Sequence, residues 1–205
     1  MISIIDYDAG NIKSVEKALL YLGEDAVITS DRDVIMSSDR LILPGVGAFG
    51  DAMNRIKGRG LDKVIYDFVE TGKPFLGICL GLQLLFKESE ESPGATGLGL
   101  LDGKITKLPS EDSDGISYKV PQIGWNSLTV NPKSKLLEGI KDGAYVYFVH
   151  SFYLKADNLE DVAARTVYST VVDAAVEKGN IMATQFHPEK SSEVGLGILK
   201  NFVAL

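Results

Sequence analysis

A chain of 205 residues, 45% of them apolar, is long enough to bury one substantial core. Its 21 basic and 28 acidic residues give a net charge of −7, and no basic stretch is clustered, which argues against nucleic acid and anionic membranes as partners. No apolar run approaches bilayer length, the start Met1-Ile2-Ser3-Ile4-Ile5-Asp6-Tyr7 lacks the basic opening of a signal peptide, and one cysteine with two histidines supplies neither an internal disulfide nor a zinc site, so a metal-free cytoplasmic protein is expected.

The first half alternates strands and helices. Ile2 to Asp6 reads as a strand, and Asn11 can cap a helix whose Ile12, Val15, Leu19 and Leu22 share one face before Gly23 ends it. Ala26 to Thr29 and Arg40 to Leu43 read as strands. The turn Pro44-Gly45-Val46-Gly47 leads to a helical stretch from Phe49 to Lys57. Leu61, Val64, Ile65, Phe68 and Val69 mark an amphipathic helix ending at Gly72, and Lys73 to Ile78 is the next strand. This order predicts an α/β fold, flavodoxin-like, with a mostly parallel central sheet, helices on both faces and extra short antiparallel strands. The second half offers short strands at Lys104 to Lys107, Ser127 to Val130, Tyr145 to His150, Ala163 to Tyr168, Ala174 to Glu177 and Ile181 to Gln185. The last two look like a hairpin about Lys178-Gly179-Asn180. A final helix runs from about Val194 to Val203, and the acidic stretch Ser110 to Ser117 reads as a solvated loop. With no internal repeat and no dividing linker, residues 1–205 are expected to form a single domain.

Chemistry concentrates at Phe75-Leu76-Gly77-Ile78-Cys79-Leu80-Gly81-Leu82-Gln83, which holds the only cysteine. Gly-x-Cys-x-Gly between a strand and a helix is the cysteine form of the nucleophile elbow. Flanking side chains there would strike neighbouring backbone, and the positive end of the helix would favour thiolate. A lone cysteine is also commonly a small buried hydrophobe, and that alternative stands. A nucleophile needs a base and an orienting acceptor. In Gln185-Phe186-His187-Pro188-Glu189-Lys190 the proline biases His187 toward extended backbone, so that His187 and Glu189, two apart, can lie side by side. His150, the other histidine, reads equally well as a strand-end residue. The Leu80 amide is one candidate donor for an oxyanion, and the loop Gly45, Val46 and Gly47 is a second, unless it is an ordinary turn.

Assembled, these segments resemble the class I glutamine amidotransferases, and within them the glutaminase subunits of imidazole glycerol phosphate synthase. The resemblance is carried by Asp6-Tyr7-Asp8-Ala9-Gly10-Asn11, by Leu43-Pro44-Gly45-Val46-Gly47-Ala48-Phe49-Gly50-Asp51-Ala52-Met53, by Pro74 to Phe86, by Gly124-Trp125-Asn126, by Tyr147-Phe148-Val149-His150-Ser151 and by Gln185 to Ser191. It implies that Cys79 attacks the side-chain amide carbon of L-glutamine, that His187 is general base and then acid, and that Glu189 orients His187. It further implies that Gln83 and the segment His150, Ser151 and Phe152 line the substrate pocket, with no cofactor. The implied partner is a (β/α)8-barrel synthase (cyclase) subunit, docked over the active site as a heterodimer and consuming the ammonia in histidine biosynthesis. Asn11, Trp125, Tyr147 and Lys190 are the expected interface residues, although core packing suits Trp125 and Tyr147 equally well. One departure is Gln122, where the family often has histidine. Two other classes compete: a redox sensor, which needs neither the His187–Glu189 pair nor Gln83, and a cysteine peptidase or amidase, which needs no partner.

Overall fold

Alternation along the first strands sets the architecture. In β1 (Ile2–Ile5), Ile2 and Ile4 enter one core and Ile5 the other; in β3 (Arg40–Gly45), Leu41 and Leu43 face the second core and Ile42 the first. Strands apolar on both faces need cover on both, which is the condition for a parallel sheet inside two helical layers. The computed structural model describes residues 1–8 and 10–205; Ala9, within the Asp6–Asn11 stretch, lies outside the described residues.

Five strands form the parallel part: β2 (Ala26–Thr29), β1, β3, β4 (Phe75–Cys79) and, later in the chain, β13 (Ile181–Thr184). The eight-stranded sheet runs β2-β1-β3-β4-β13 and continues antiparallel through β12 (Val171–Lys178), β11 (Val162–Val167) and the short β8 (Thr129–Val130). Its parallel portion has the flavodoxin-like order. Helix α1 (Ile12–Tyr21) and the last helix, α6 (Ser192–Ala204), bury Val15, Leu19, Ile198, Leu199 and Phe202 against one face. On the other face α2 (Arg32–Ser37), α3 (Phe49–Gly58) and α4 (Leu61–Glu70) bury Ile35, Met53, Ile56, Ile65 and Phe68. After β4 comes α5 (Leu80–Leu84), a single short helix. Two small sheets complete the fold: β10 (Phe152–Ala156) with β6 (Gly103–Lys107) and β5 (Glu88–Ser89), and the antiparallel pair β7 (Gln122–Ser127) and β9 (Tyr145–His150).

Several expectations change. Helix α2 is an addition; its six residues bury only Ile35, too few for a period, and Asp31 caps it through Asp33 and Val34 N–H. The helix after Cys79 is five residues long, because Leu85 and Phe86, although buried, belong to turns. The run Ser127 to Val130 is not one strand: Ser127 ends β7, and β8 pairs in a different sheet. Asn11 stands at the start of α1 with φ 67° but caps no helical N–H; its Oδ1 accepts from Ser14 Oγ at 2.7 Å. The hairpin at Gly179 forms as expected, and Glu111 to Ser117 is an exposed turn folded on Asp112.

Candidate active site

The carboxyl ends of β1, β3, β4 and β13 meet at one edge of the sheet, where open α/β sheets place their ligands. Cys79 ends β4 with φ 55° and ψ −108°, a conformation unfavourable for any side chain-bearing residue. The flanking glycines explain how the turn fits. A Cβ on Gly77 would lie 2.8 Å from the Gly81 carbonyl oxygen, and one on Gly81 would overlap the Leu43 carbonyl. Cys79 is 6% exposed and lines a cleft.

His187 follows β13. Its backbone N–H donates to Tyr147 O at 3.0 Å, and its carbonyl accepts from Ser191 Oγ at 2.6 Å, so strand β9 and the residue before α6 fix its backbone. Nδ1 bonds Glu189 Oε1 at 2.8 Å, with side chains 2% and 0% exposed. The extended i, i+2 geometry expected from the sequence is not what joins them. After His187 the chain turns at Pro188 into one 3-10 turn, closed by Lys190 N–H to His187 O at 3.0 Å, and that turn folds the carboxylate back. Asn11 Nδ2 donates to the same Oε1 at 3.0 Å, so Asn11 braces the pair.

Burial pulls His187 down, but the adjoining Cys79 sulfur and the Glu189 carboxylate outweigh it, and the imidazole is pushed up to about 9. The sulfur acts by proximity and charge, since Nε2 has no hydrogen-bond partner. His150 goes the opposite way, to about 4, mainly through burial, with the neighbouring His187 charge adding to it against the Phe152 hydrogen bond. Its Nδ1 lies 2.9 Å from Phe152 O, a pure acceptor, so Nδ1 carries the proton. Nε2 stands 3.0 Å from the Gln122 side-chain Oε1; a neutral ring bonds this amide once it turns its NH2 inward. Tyr7 donates its hydroxyl to Pro44 O at 3.0 Å and packs on Gly45; burial, then the Cys79 charge, push that hydroxyl well above its ordinary range.

A cleft of about 280 Å³ opens over the sulfur. Val46, Gly47 and Leu80 line it, together with Gln83, His150, Ser151, Phe152 and His187. Gly45, also expected there, lies inside β3 paired with Cys79 and borders a void of about 10 Å³ behind the His187–Glu189 pair. Two participants escaped the sequence. Glu91 lines the cleft and accepts from Phe49 N–H at 2.7 Å, and Gln185 Nε2 lies 3.8 Å from Cys79 Sγ. Glu91 carried no sequence signal. Gln185 carried one, since it lies two residues before His187 on the same extended approach. A larger depression of about 560 Å³ includes Ser134, Lys135 and Glu177, but Glu177 there accepts from Ser134 Oγ and from Lys135 and Leu136 N–H, and neither a cysteine nor a histidine lines it.

Beside the cleft, β7 and β9 expose Ile123, Trp125 and Tyr145. Trp125 meets Tyr147 edge to face at 6.1 Å, and Lys190 Nζ stands 6.0 Å above the Tyr147 ring. Half of the Trp125 surface is exposed, so the core-packing alternative does not hold for it. Among the described residues no His, Cys, Asp and Glu cluster could hold a metal, and no helix is long and apolar enough to cross a membrane.

The family described as "Glutamine amidotransferase class-I" matches residues 3–205. The chain is 49% identical to the "Imidazole glycerol phosphate synthase subunit HisH" of Methanothermobacter thermautotrophicus, over 100% of this chain and 98% of that protein. It is 50% identical to the subunit of the same name from Bacillus cereus, over 98% of this chain and 93% of that one. Among solved structures, PurLQS from Thermotoga maritima superposes with a TM-score of 0.75 at 22% identity, covering 99% of this chain and 97% of that chain, a likeness of fold. A nucleophile-elbow cysteine beside a buried His–Glu pair, in a chain matched end to end at about half identity, belongs to the class-I glutamine amidotransferase family, in its imidazole glycerol phosphate synthase subunit HisH branch.

Proposed function

We propose that this chain is the glutaminase subunit of imidazole glycerol phosphate synthase, acting through Cys79, His187 and Glu189. The observation that carries the reading is His187: one ring nitrogen is fixed by Glu189, and the other, Nε2, is buried, unpaired and shares the cleft with the Cys79 sulfur. The proton shared between the sulfur and Nε2 rests on Nε2, as the raised His187 value favours, and Sγ attacks the side-chain amide carbon of L-glutamine. The carbonyl pair moves to oxygen, which backbone N–H groups of Leu80 and the Val46–Gly47 loop receive. On collapse the C–N bond breaks, and His187 gives its proton to the nitrogen, which leaves as ammonia. Water then adds to the thioester and yields a proton to His187. The C–S bond breaks, glutamate departs and the sulfur regains its proton. Gln83 and the segment His150, Ser151 and Phe152 hold the substrate. Glu91 supplies a carboxylate for its α-ammonium group.

The ammonia passes to a (β/α)8-barrel synthase (cyclase) subunit in a cytoplasmic heterodimer, for a step of histidine biosynthesis. The exposed Ile123, Trp125 and Tyr145, with Tyr147 and Lys190 beside the cleft mouth, support docking there. The relatives' names favour this reading over a redox sensor or a free-standing amidase. The test is glutamate release from glutamine by the purified chain, alone and with the synthase subunit and its nucleotide ligand. Cys79→Ala abolishes release, His187→Ala nearly so, and Glu189→Gln is milder, because orientation is part of the rate enhancement. Equal activity in all three variants, or none in the wild type under either condition, refutes it.

A further inference from the structure

Gln185 has no role in the steps above, yet a buried polar chain beside the triad ends on it. It begins at a carbonyl: Phe152 O accepts from His150 Nδ1 at 2.9 Å and from Gln83 Nε2 at 3.0 Å. A carbonyl only accepts, so Gln83 must turn its NH2 toward it. The same NH2 donates to Gln185 Oε1 at 3.1 Å. With Oε1 held in that way, Gln185 can present only its NH2 on the other side, and there Nε2 lies 3.8 Å from Cys79 Sγ. Either amide alone could be reversed by a half turn; the carbonyl at the end of the chain removes that freedom.

We propose that Gln185 is a hydrogen-bond donor to the reacting sulfur, holding negative charge on Sγ and aiming it, with Gln83 and the Phe152 carbonyl fixing its direction. The Gln185 side chain is fully buried, so water does not compete for its N–H, and its charge-assisted bond to sulfur is strengthened by the dry surroundings. In its thiol form Cys79 donates to Val149 O, 3.9 Å from Sγ. Once that proton has moved to His187, the carbonyl no longer has a donor to accept from, and the Gln185 N–H is the neighbour that favours the sulfur's new charge. Gln83 thereby acquires a second duty, as the group that orients the donor.

The inference rests on Cys79 being the nucleophile of the proposed glutaminase, yet the sulfur can be probed without glutamine. The full chain is alkylated with iodoacetamide at pH 7, and glutamate release is measured separately with the synthase subunit and its nucleotide ligand present. The chain has one cysteine, so alkylation reports on one site. Gln185→Met keeps length and volume and removes the donor. Alkylation is expected to fall about three- to ten-fold and kcat by about ten-fold, with KM nearly unchanged because Gln185 is not among the residues lining the cleft. A merely structural role has the opposite sign, since loosened packing exposes the sulfur and speeds alkylation. Unchanged or faster alkylation by Gln185→Met overturns the proposal. Should that variant fail to fold, Gln83→Met removes the orienting bond and is expected to slow alkylation about two-fold; no slowing overturns it equally. A wild-type chain that releases no glutamate, but whose alkylation still slows in Gln185→Met, refutes the glutaminase reading and leaves the donor in place.

Discussion

The chain's two imidazoles are driven apart by their surroundings. His187, ordinarily near 6.5, is pushed up to about 9, and His150 is pushed down to about 4. The signs have separate consequences for stability. His187 has a folded value above its unfolded one, so its contribution is whole below pH 6.5 and is lost as pH rises through about 9. His150 has a folded value below its unfolded one, so the folded state loses ground as pH falls from 6.5 through about 4. Each effect is on the order of 3 kcal/mol at full extent. With only two histidines, ring NMR resolves both titrations without ambiguity. We expect one transition near 9 and one near 4, with His150 protonated on Nδ1 at neutral pH. Glu189→Gln should bring the upper transition down and flatten the alkaline loss of stability. An upper transition already near 6.5 in the wild type would contradict the arrangement. The His187–Glu189 pair was legible because its partners are two residues apart. The bonds from Asn11 to Glu189 and from Gln185 to Gln83 span 178 and 102 residues, and no local pattern announces such contacts.

Elements were legible where one periodicity governed a whole segment. Helix α4 shows every expected apolar position facing the core, with Val69 partly buried at its edge, and β9 matches its expected bounds. Strand β10 was missed because it follows β9 after Ser151 alone, too short a break to separate two strands by pattern. Burial also misled: Leu85 and Phe86 continue the apolar run of α5, but they are buried as turns between the elements they touch. At the elbow itself the sequence signal was steric and therefore strong. Gly81→Ala should cost about 3 kcal/mol, because its methyl would meet backbone that cannot yield without moving α5 from β3. For a chain of this size that is roughly 6–12 °C in melting temperature. Gly58→Ala is the matched control. It sits at the end of α3 with open space around it, and helical propensity predicts a small gain of about 0.5 kcal/mol. Thermal unfolding of the two variants decides the matter; equal shifts would remove close approach as the reason for glycine at position 81.

At the scale of the whole molecule, the parallel sheet gathers Asn11, the Val46–Gly47 loop, Cys79 and His187 from four strand ends, while the small β7–β9 sheet stands beside them with its aromatic face bare. Strand β9 joins the two regions through its backbone. Tyr147 sends its ring outward to Trp125, but its carbonyl accepts the His187 N–H at 3.0 Å and its own N–H donates to Ser191 Oγ at 2.9 Å. A subunit pressing on the outer rings therefore bears on the strand that holds the proposed base. Trp125 is the natural centre of such a contact, being large, half-exposed and braced by Tyr147. Trp125→Arg should leave the free chain's melting temperature unchanged, since no core contact is lost. It should weaken binding of the synthase subunit by about 10- to 100-fold, as removal of a central aromatic anchor does. Calorimetric titration of the two subunits measures this directly. Exposed residues distant from the cleft, such as Tyr21 and Leu159, serve as comparison sites, and their replacement by arginine should not change affinity. If Trp125→Arg binds as tightly as wild type while Tyr21→Arg does not, docking occurs over the end of α1, and the ammonia would have to leave the cleft by a mouth the partner does not cover.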